Sequence, residues 1–308
     1  MDMVEVRSDG KGGHNADLER WKNQGMFAVW KFDYPLVLVV LQLLLSTVVM
    51  YVVARPKLEL RIAKSVLPLS IVNLFSISAG FMGTQGLNIP MFVALRRFTI
   101  LFTVIVEYLL FRKRQSVPTL SAVAIMISGA LIASVTDLTF SAQGYAAVFI
   151  NDLLQAAYLV IVKYVKDVDH LGTNGLLFYN SGISVLPLVL FCWVRGDFHE
   201  AMAYPYWGSL PFLTSLFSST CLGLAVGHAI FLCTRVNEPL TTTVTGSIKN
   251  LLATMLGAIA FGDYIFNTAN AAGLAVSAVG SLWYVVCKTQ EASPRQEGKE
   301  KRQGESKV

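Results

Sequence analysis

The sequence has little charge and few of the residue patterns that build catalytic or redox sites. Only 15% of its 308 residues are charged, and it contains no P-loop lysine motif, no HExxH and no serine elbow. Residues 1–25 are polar and lack the apolar core of a signal peptide. The four cysteines have no metal or redox spacing, so packing is their expected role: Cys192, Cys221, Cys233 and Cys287. We therefore expect no enzyme, no cofactor and no metal site.

Apolar residues, by contrast, are abundant. They make up 54% of the chain, and the mean hydropathy is +0.54. This is far too apolar for a soluble domain and predicts an all-α polytopic protein of the lipid bilayer. The formal charge of +5 does not indicate nucleic acid, because the basic residues fall mainly in short loops and the tail. The apolar spans cover 35–53, 65–84, 91–111, 118–136, 143–164, 175–194, 209–233, 239–261 and 268–287.

The basic residues lie on alternate loops, and this asymmetry predicts an orientation. One set of loops and the tail contain nearly all of them: Arg55, Lys57, Arg61, Lys64, Arg112, Lys113, Arg114, Lys163, Lys166, Arg235 and Lys288. The opposite set contains Arg195 and little else. Because basic residues close to membrane spans stay on the cytoplasmic side, we expect these loops and the C-terminus to be cytoplasmic.

Two segments are similar at a fixed offset, which predicts two homologous halves. Asn88-Ile-Pro-Met begins the third span, and Asn237-Glu-Pro-Leu begins the eighth, 149 residues later; the same offset places Ser128 on Ser277. Inverted repeats of this kind place a binding site at their interface near the midplane. The predicted parts are a polar leader (1–25), a first repeat of four spans (26–138), a second repeat of five spans (139–287) and a disordered tail (288–308).

The first repeat is thus one span shorter than the second. We expect either a shortened form of the protein or a polar leader in place of a first helix.

The eighth span has a lysine, Lys249, near its middle. An ammonium there costs roughly 2.5–3.5 kcal/mol on insertion scales, so it is expected to face a cavity, a partner or a ligand. Thr242, Thr245 and Lys249 share one helix face, and Gly246 leaves room for a ligand to approach the backbone. This combination suits an anionic, hydroxyl-rich ligand such as a sugar phosphate. The alternative is a lysine paired with a carboxylate for structure.

Other spans also contain polar residues that suit a phosphate or a sugar. Arg96 and Arg97 lie in the third span, where arginine suits phosphate; alternatively, one reaches the interface and the other pairs with an acid. The fifth span contains Asn151, Asp152 and Tyr158. Asp152 needs a partner in the membrane, and Lys249 or an arginine of the third span is a natural one.

Phe178, Tyr179 and Asn180 combine aromatic rings with an amide, which can stack on and hydrogen-bond a nucleobase. The alternative is an aromatic belt at the membrane interface. Glycines within the spans predict close helix packing instead. These are Gly223 and Gly227, at small-xxx-small spacing, and Gly129, Gly257, Gly273 and Gly280.

Taken together, several motifs resemble nucleotide-sugar transporters of the drug/metabolite transporter superfamily. They fall between about residue 26 and residue 288 and read NIPMFVALRRFTILFT, NDLL, GLLFYN, LTTTVTGSIKN and FGDYIF. The chain is most similar to carriers of UDP-glucuronate, UDP-N-acetylglucosamine or UDP-N-acetylgalactosamine. The resemblance implies ten helices in two inverted five-helix halves, in a Golgi or endoplasmic reticulum membrane. It also implies that a cytosolic UDP-sugar enters the lumen in exchange for UMP.

The resemblance also assigns site residues. The family's phosphate-binding motif corresponds to Gly246, Ser247, Lys249 and Asn250. GDP-mannose carriers have FYNN and ALNK, where this chain has Ser181 after FYN and reads SIKN. Both differences favour uridine over guanine.

Two other functions remain open. One is a triose-phosphate or GDP-mannose carrier of the same superfamily. The other is a non-transporting membrane scaffold or regulatory form that lacks the first helix. The sequence leaves the oligomeric state open, a homodimer included.

Overall fold

The computed structural model describes residues 30, 32–87, 89–134, 141–165, 171–261 and 268–305, and within these ranges every regular element is helical. The predicted place of a first helix lies before residue 30, outside the described residues. The helices are α1 (Pro35–Ala54), α2 (Leu60–Gly86), α3 (Ile89–Leu95), α4 (Phe98–Phe111), α5 (Val117–Ser134), α6 (Ala142–Tyr164), α7 (Gly172–Arg195), α8 (Asp197–Met202), α9 (Leu210–Val236), α10 (Pro239–Phe261) and α11 (Thr268–Glu305), with a 3₁₀ turn at Pro205–Gly208.

Six of the described helices are long and apolar enough to cross a bilayer: α1, α2, α6, α7, α9 and the Ala271–Glu291 part of α11. Each coincides with a predicted span. The other predicted spans are also helical, but the third consists of two helices, α3 and α4. The prediction of an all-α polytopic membrane protein is confirmed.

The helices end where the local sequence allows the backbone to turn. Arg55, Arg112 and Gly196 adopt left-handed conformations, with φ of 43°, 52° and 82°, after α1, α4 and α7. At the start of α6, the Ser141 hydroxyl accepts a hydrogen bond from the Gly144 backbone N–H at 3.3 Å. These ends allow short connections between neighbouring helices among the described residues.

The closest helix packing joins α5 to α11, and glycines make it possible. A Cβ atom on Gly129 would lie 2.4 Å from Ser277 Oγ and 2.6 Å from the Gly273 carbonyl, and one on Gly280 would lie 2.8 Å from Met126. No side chain fits at these positions, which confirms the predicted packing role of Gly129, Gly273 and Gly280. The α2–α6 and α1–α7 pairs also pack extensively.

The predicted packing pair on α9 is only half right. A Cβ on Gly223 would lie 2.4 Å from the Gln42 side chain of α1, so this glycine does bring two helices together. At Gly227, however, no described atom lies within 4 Å of an added Cβ, and the prediction is wrong there. The physical reason is that α9 is the least buried of the six spans, with 17% of its apolar window buried. Gly257 lies among residues whose side chains are not described.

Helices separated by the offset of 149 residues also contact each other: α5 packs on α11, and α4 packs on α10. Two inverted halves related by a twofold axis would show such pairings. The repeat boundaries stay a prediction.

The C-terminal segment differs from the expected disordered tail, because α11 continues to Glu305. Residues 288–305 are rich in Lys, Glu, Gln and Arg, which favour helix, and they extend a helix that the apolar span has already nucleated.

Candidate functional site

A break in the third span places two arginines inside the bundle. Between α3 and α4 the backbone tightens: Arg97 N–H donates to the Ala94 carbonyl, and Thr99 N–H donates to the Arg96 carbonyl. These i→i+3 bonds end one helix and start the next. The break turns the side chains of Arg96 and Arg97 in different directions, and they acquire different partners.

Arg97 is buried against the α5–α11 pair. Its Nη1 donates to Ser277 Oγ at 2.9 Å, and that hydroxyl donates to the Met126 carbonyl at 2.9 Å. A guanidinium held this way fixes the start of α4 against the tightest helix contact. Arg97 is therefore an anchored cation at the edge of the site.

Arg96 is half-buried and points toward α10. Its guanidinium lies 5.7 Å from the centroid of the Phe92 ring. The guanidinium makes no hydrogen bond or ion pair with the described part of the chain. Electrostatically it attracts the Asp152 carboxylate and repels the Lys249 ammonium.

Lys249 lies at the middle of α10 with an exposed side chain. Among the residues that the structure describes, no acceptor or carboxylate contacts its ammonium. The predicted structural alternative, a lysine paired with an acid, is not found within these residues. Beside it, an added Cβ on Gly246 would meet no described atom within 4 Å, so the backbone of α10 is open to approach here.

A small cleft lies where α3, α4 and α10 meet. Its lining residues are Val93, Arg96, Arg97, Ser247 and Asn250. The cleft therefore brings two arginines together with a serine and an asparagine. Of the predicted residues in the third and eighth spans, Arg96, Arg97, Ser247 and Asn250 line this cleft, whereas Lys249, Gly246 and Thr245 are not among its lining residues.

Asp152 and Asn151 lie on α6, behind this cleft, and both are buried. Thr99 Oγ1 donates to Asp152 Oδ1 at 2.7 Å, while Oδ2 of the same carboxylate has no hydrogen-bond partner among the described residues. Asn151 Nδ2 donates to the Ser76 carbonyl at 2.6 Å, which ties α6 to α2. Asp152 thus faces the arginine side of the site, and Asn151 faces away from it.

The predicted base-reading residues lie in another part of the bundle. Asn180 is buried, donating to Tyr158 Oη at 3.2 Å and accepting from Ser70 Oγ at 3.3 Å. Tyr179 donates to the Lys57 carbonyl at 2.5 Å and so holds the α1–α2 loop. The structure does not bring these side chains to the cleft.

Phe178 and Thr245 keep accessible surface. The Phe178 ring is partly buried, and its centroid lies 5.7 Å from that of Tyr51. Thr245 is exposed on α10 and donates to the Thr241 carbonyl at 2.8 Å. Thr242 points into the bundle instead, where Thr234 Oγ1 donates to its hydroxyl at 3.2 Å. Of the predicted threonine–lysine face, Thr245 and Lys249 are therefore the accessible members.

Sequence reasoning missed Thr99 and the helix break. The Thr99 hydroxyl lies within donating distance of two acceptors, the Arg96 carbonyl in its own turn and the Asp152 carboxylate, and so it links α4 to α6. The available signal was the pair of adjacent arginines inside an apolar span. Such a pair cannot face lipid with both side chains, which indicates that the two arginines need polar surroundings but does not predict a helix break.

A second polar cluster closes the end of the bundle where α4, α6 and α9 finish and α10 begins; we call it the basic-end network. Lys113 Nζ lies 2.8 Å from Glu238 Oε1, and Lys288 Nζ lies 3.2 Å from Glu238 Oε2. Lys163 Nζ donates to the Arg235 carbonyl at 2.6 Å. The corner between α9 and α10 is therefore held by lysines from three other segments.

Pairing with each other shifts the pKa values of Lys113 and Glu238 in the basic-end network. Burial lowers the pKa of Lys113, but the hydrogen bond to Glu238 and the charges of Glu107 and Glu238 outweigh it, so the net pKa is raised. Burial raises the pKa of Glu238, but the hydrogen bond from Lys113 and the charges of Lys288 and Lys113 outweigh it, so the net pKa is lowered. Both groups therefore stay charged and paired around neutral pH.

A multi-pass helical bundle with arginines lining a cleft between its helices is the arrangement expected of a membrane carrier for anions. Comparison with protein families identifies the family to which the chain belongs. The model described as the Triose-phosphate Transporter family matches residues 22–285. The chain belongs to this family of transporters, which confirms the resemblance noted in the sequence.

Individual relatives match most of the chain. It is 37% identical over 235 residues to the UDP-sugar transporter sqv-7 of Caenorhabditis elegans, covering 76% of this chain and 71% of that protein. It is 33% identical over 268 residues to the nucleotide sugar transporter SLC35D2 of Mus musculus, covering 85% and 82%. A solved crystal structure has the same fold, with a TM-score of 0.59, 14% identity and coverage of 90% of this chain and 96% of that one.

Proposed function

We propose that this protein is a nucleotide-sugar transporter that carries a UDP-sugar across a Golgi or endoplasmic reticulum membrane in exchange for UMP. The names of the relatives support the substrate class, since sqv-7 is a UDP-sugar transporter and SLC35D2 a nucleotide sugar transporter. The residues around the cleft support it independently.

The observation that carries the proposal is the pair of cations Arg96 and Lys249. They repel each other, and neither makes an ion pair within 4 Å with the residues that the structure describes. Two like charges at membrane depth are unfavourable unless an anion joins them. A diphosphate placed between α3–α4 and α10 would neutralise both at once.

The other lining groups suit the rest of such a ligand. Ser247 and Asn250 supply a hydroxyl and an amide beside the guanidinium groups, and Gly246 and Thr245 leave the face of α10 accessible. These groups hydrogen-bond phosphate and sugar oxygens. We assign Lys249 and Arg96 to the diphosphate, with Arg97 anchoring the helix break behind them.

The residues that would bind the base and the sugar of the substrate are a separate part of the proposal. Phe178 has accessible ring surface for stacking, while Tyr179 and Asn180 hold the segment around it. Asn151 and Tyr158 support α6 and α7 from inside the bundle. Reading of the uracil base by Phe178, Tyr179 and Asn180 requires a rearrangement that carries these residues toward the cleft.

Transport needs the site to face each side of the membrane in turn. We propose that the two halves rock about the α5–α11 and α1–α7 pairs, with the C-terminus and the basic-end network on the cytoplasmic side. In that arrangement the network closes the cytoplasmic path to the cleft.

Uptake into proteoliposomes tests the proposal. Purified protein is reconstituted into liposomes loaded with UMP, and labelled UDP-glucuronate and UDP-N-acetylhexosamines are supplied outside. We expect uptake that depends on internal UMP. Absence of uptake of every UDP-sugar, with a functional carrier reconstituted in parallel, would refute the proposal.

The same assay separates the alternatives. Unlabelled GDP-mannose, CMP-sugars and triose phosphates are added as competitors, because the family name and the superfamily include carriers of such ligands. Inhibition by triose phosphate without inhibition by uridine nucleotides would identify a triose-phosphate carrier. A protein that binds none of them would be a non-transporting form.

A further inference from the structure

The basic residues at the predicted cytoplasmic end of the bundle differ in whether the protein itself supplies their partners. Lys113 and Lys288 pair with Glu238 in the basic-end network. Arg61 and Lys64 lie in the first two turns of α2, and their side chains are exposed. Neither forms an ion pair or a side-chain hydrogen bond with the residues that the structure describes. These two cations are therefore available to an anion from outside the chain.

One face of α2 points out of the bundle and is apolar along most of its length. Leu67, Ile71, Phe75 and Met82 are exposed on this face, spaced by four, four and seven residues; we call them the α2 stripe. Lys64 lies on the same face, three residues before Leu67. Because α2 is long and apolar enough to cross a bilayer, the α2 stripe is expected to face the acyl chains of the lipid.

The two cations lie at the end of the α2 stripe and close to each other. Residues three apart on a helix have Cβ atoms roughly 5–6 Å apart, so the side chains of Arg61 and Lys64 can reach one anion. Arginine binds phosphate through two parallel hydrogen bonds, and lysine binds it as a point charge. Like charges at this spacing repel each other, and a shared phosphate removes that repulsion.

We propose that Arg61, Lys64 and the α2 stripe form a binding site for an anionic phospholipid. The phosphate of the headgroup lies between the two cations, and an acyl chain lies along the α2 stripe. Basic residues next to a span attract the anionic lipids of the cytoplasmic leaflet, which is the side on which the start of α2 is expected. The proposal goes beyond nucleotide-sugar transport and does not depend on it.

Membrane orientation alone does not account for this arrangement. It requires basic residues at the cytoplasmic end of a span, but it does not require them to be unpaired or to lie above an exposed apolar stripe. The exposed cations of the α4–α5 turn show the difference. The Arg112 guanidinium lies 5.7 Å from the centroid of the Tyr108 ring, and Arg114 lies between the helices rather than on one. These two arginines therefore provide a matched comparison for the α2 pair.

Thermal unfolding of delipidated protein in a neutral detergent tests the proposal. Phosphatidylserine, phosphatidylinositol or phosphatidylcholine is added, and the melting temperature is measured. A ligand that binds only the folded state raises the melting temperature, so we expect a rise of about 3–5 °C with either anionic lipid and a much smaller one with phosphatidylcholine. Glycerophosphoserine, which has the phosphate and the headgroup but no acyl chains, should cause no rise.

Variants of the two cations locate the effect. In Arg61→Gln/Lys64→Gln both charges are removed, and the rise with anionic lipid should be lost. The single variant Lys64→Gln should lose part of the rise, and it replaces the double variant if that protein does not fold. Arg61→Lys/Lys64→Arg keeps both charges and should respond like the wild type. Arg112→Gln/Arg114→Gln removes two exposed cations from the α4–α5 turn and is the matched control, whose response should also equal that of the wild type.

Three results would overturn the proposal. An equal rise with phosphatidylcholine would mean that only the apolar stripe binds lipid. An equal rise with glycerophosphoserine would assign the two cations to a soluble phosphate. An equal loss of response in the α2 and α4–α5 double variants would mean a general effect of surface charge. None of these measurements requires transport, so an absence of UDP-sugar uptake would refute the proposed function and leave this inference standing.

Discussion

At the scale of single residues, the proposed site is defined by two cations, Arg96 and Lys249, that form no ion pair with the residues that the structure describes. Buried polar groups in this bundle generally find one: Arg97 binds Ser277, Asn151 binds Ser76, and Tyr179 binds the α1–α2 loop. Arg96 and Lys249 are different, because each interacts unfavourably with the other and neither has an ion-pair partner within 4 Å in the described ranges. This contrast separates residues that stabilise the fold from those available to a ligand.

Replacing Lys249 should therefore not destabilise the protein. In Lys249→Ala the repulsion from Arg96 disappears and no described ion pair is lost, so we expect the melting temperature in detergent to stay equal or rise. The stabilisation that UMP and UDP-sugars give the wild type should be lost, because these ligands bind only the folded state. Thermal unfolding with and without ligand measures both. A melting temperature that falls by several degrees would mean that Lys249 has a structural partner.

At the scale of helices, some elements are joined by close packing and others by ion pairs. The α5–α11 pair has backbone contacts that only glycine permits, whereas α9 has an open side at Gly227. The α9–α10 corner is held by charges, which separate more easily than a packed apolar interface. Movement during transport is thus expected at the charged corner rather than at the α5–α11 pair.

Two glycine substitutions test the packing difference. Gly129→Ala introduces a methyl group 2.6 Å from the Gly273 carbonyl, so we expect a loss of about 1–3 kcal/mol in unfolding free energy or a failure to fold. Gly227→Ala introduces the same group where no described atom lies within 4 Å, so its stability should equal or exceed that of the wild type. Melting temperatures in detergent provide the comparison. Equal losses in both variants would contradict the described helix contacts.

The basic-end network predicts a pH dependence of stability. Because the pKa of Glu238 is lowered in the folded state, its stabilising effect is full above its ordinary pKa of 4.5 and is lost as the pH falls below it. Glu238→Gln should lower the unfolding free energy by about 1 kcal/mol at neutral pH, with the difference from wild type vanishing on acidification below that pKa. Glu59→Gln, on the exposed α1–α2 loop, is the control. A pH-independent difference between Glu238→Gln and wild type would contradict the pairing.

At the scale of the whole molecule, long-range contacts decide what the sequence alone could predict. The spans follow from local hydropathy and are helical in the structure, but the third span is divided into α3 and α4, and α11 continues beyond the predicted end at residue 287. The sequence could also predict that Arg96 lies close to polar residues such as Ser247 and Asn250, because a charge inside a span must face something polar. The helix break at Arg96–Arg97 could not be predicted, since its support comes from Ser277, 180 residues away in the chain.

The same limit applies to the aromatic motif and to α9. Tyr179 has the composition of a base-reading residue, yet its hydroxyl is occupied by the backbone of Lys57 and Glu59. Gly227 has the spacing of a packing glycine, yet the described helices leave that side of α9 open. Residue type and spacing predict what a side chain is able to do, and the neighbouring elements determine which of these roles it performs.

The central claim is that Lys249 and Arg96 together hold the phosphates of a nucleotide sugar, and exchange by matched lysine variants tests it most directly. Lys249→Ala and Lys57→Ala each remove one ammonium, the first beside the cleft and the second from the exposed α1–α2 loop. In UMP-loaded proteoliposomes we predict that Lys57→Ala exchanges labelled UDP-sugar like the wild type, whereas Lys249→Ala loses at least about 100-fold in uptake efficiency. Exchange by Lys249→Ala at normal rate and affinity would contradict the claim and place the phosphate site elsewhere.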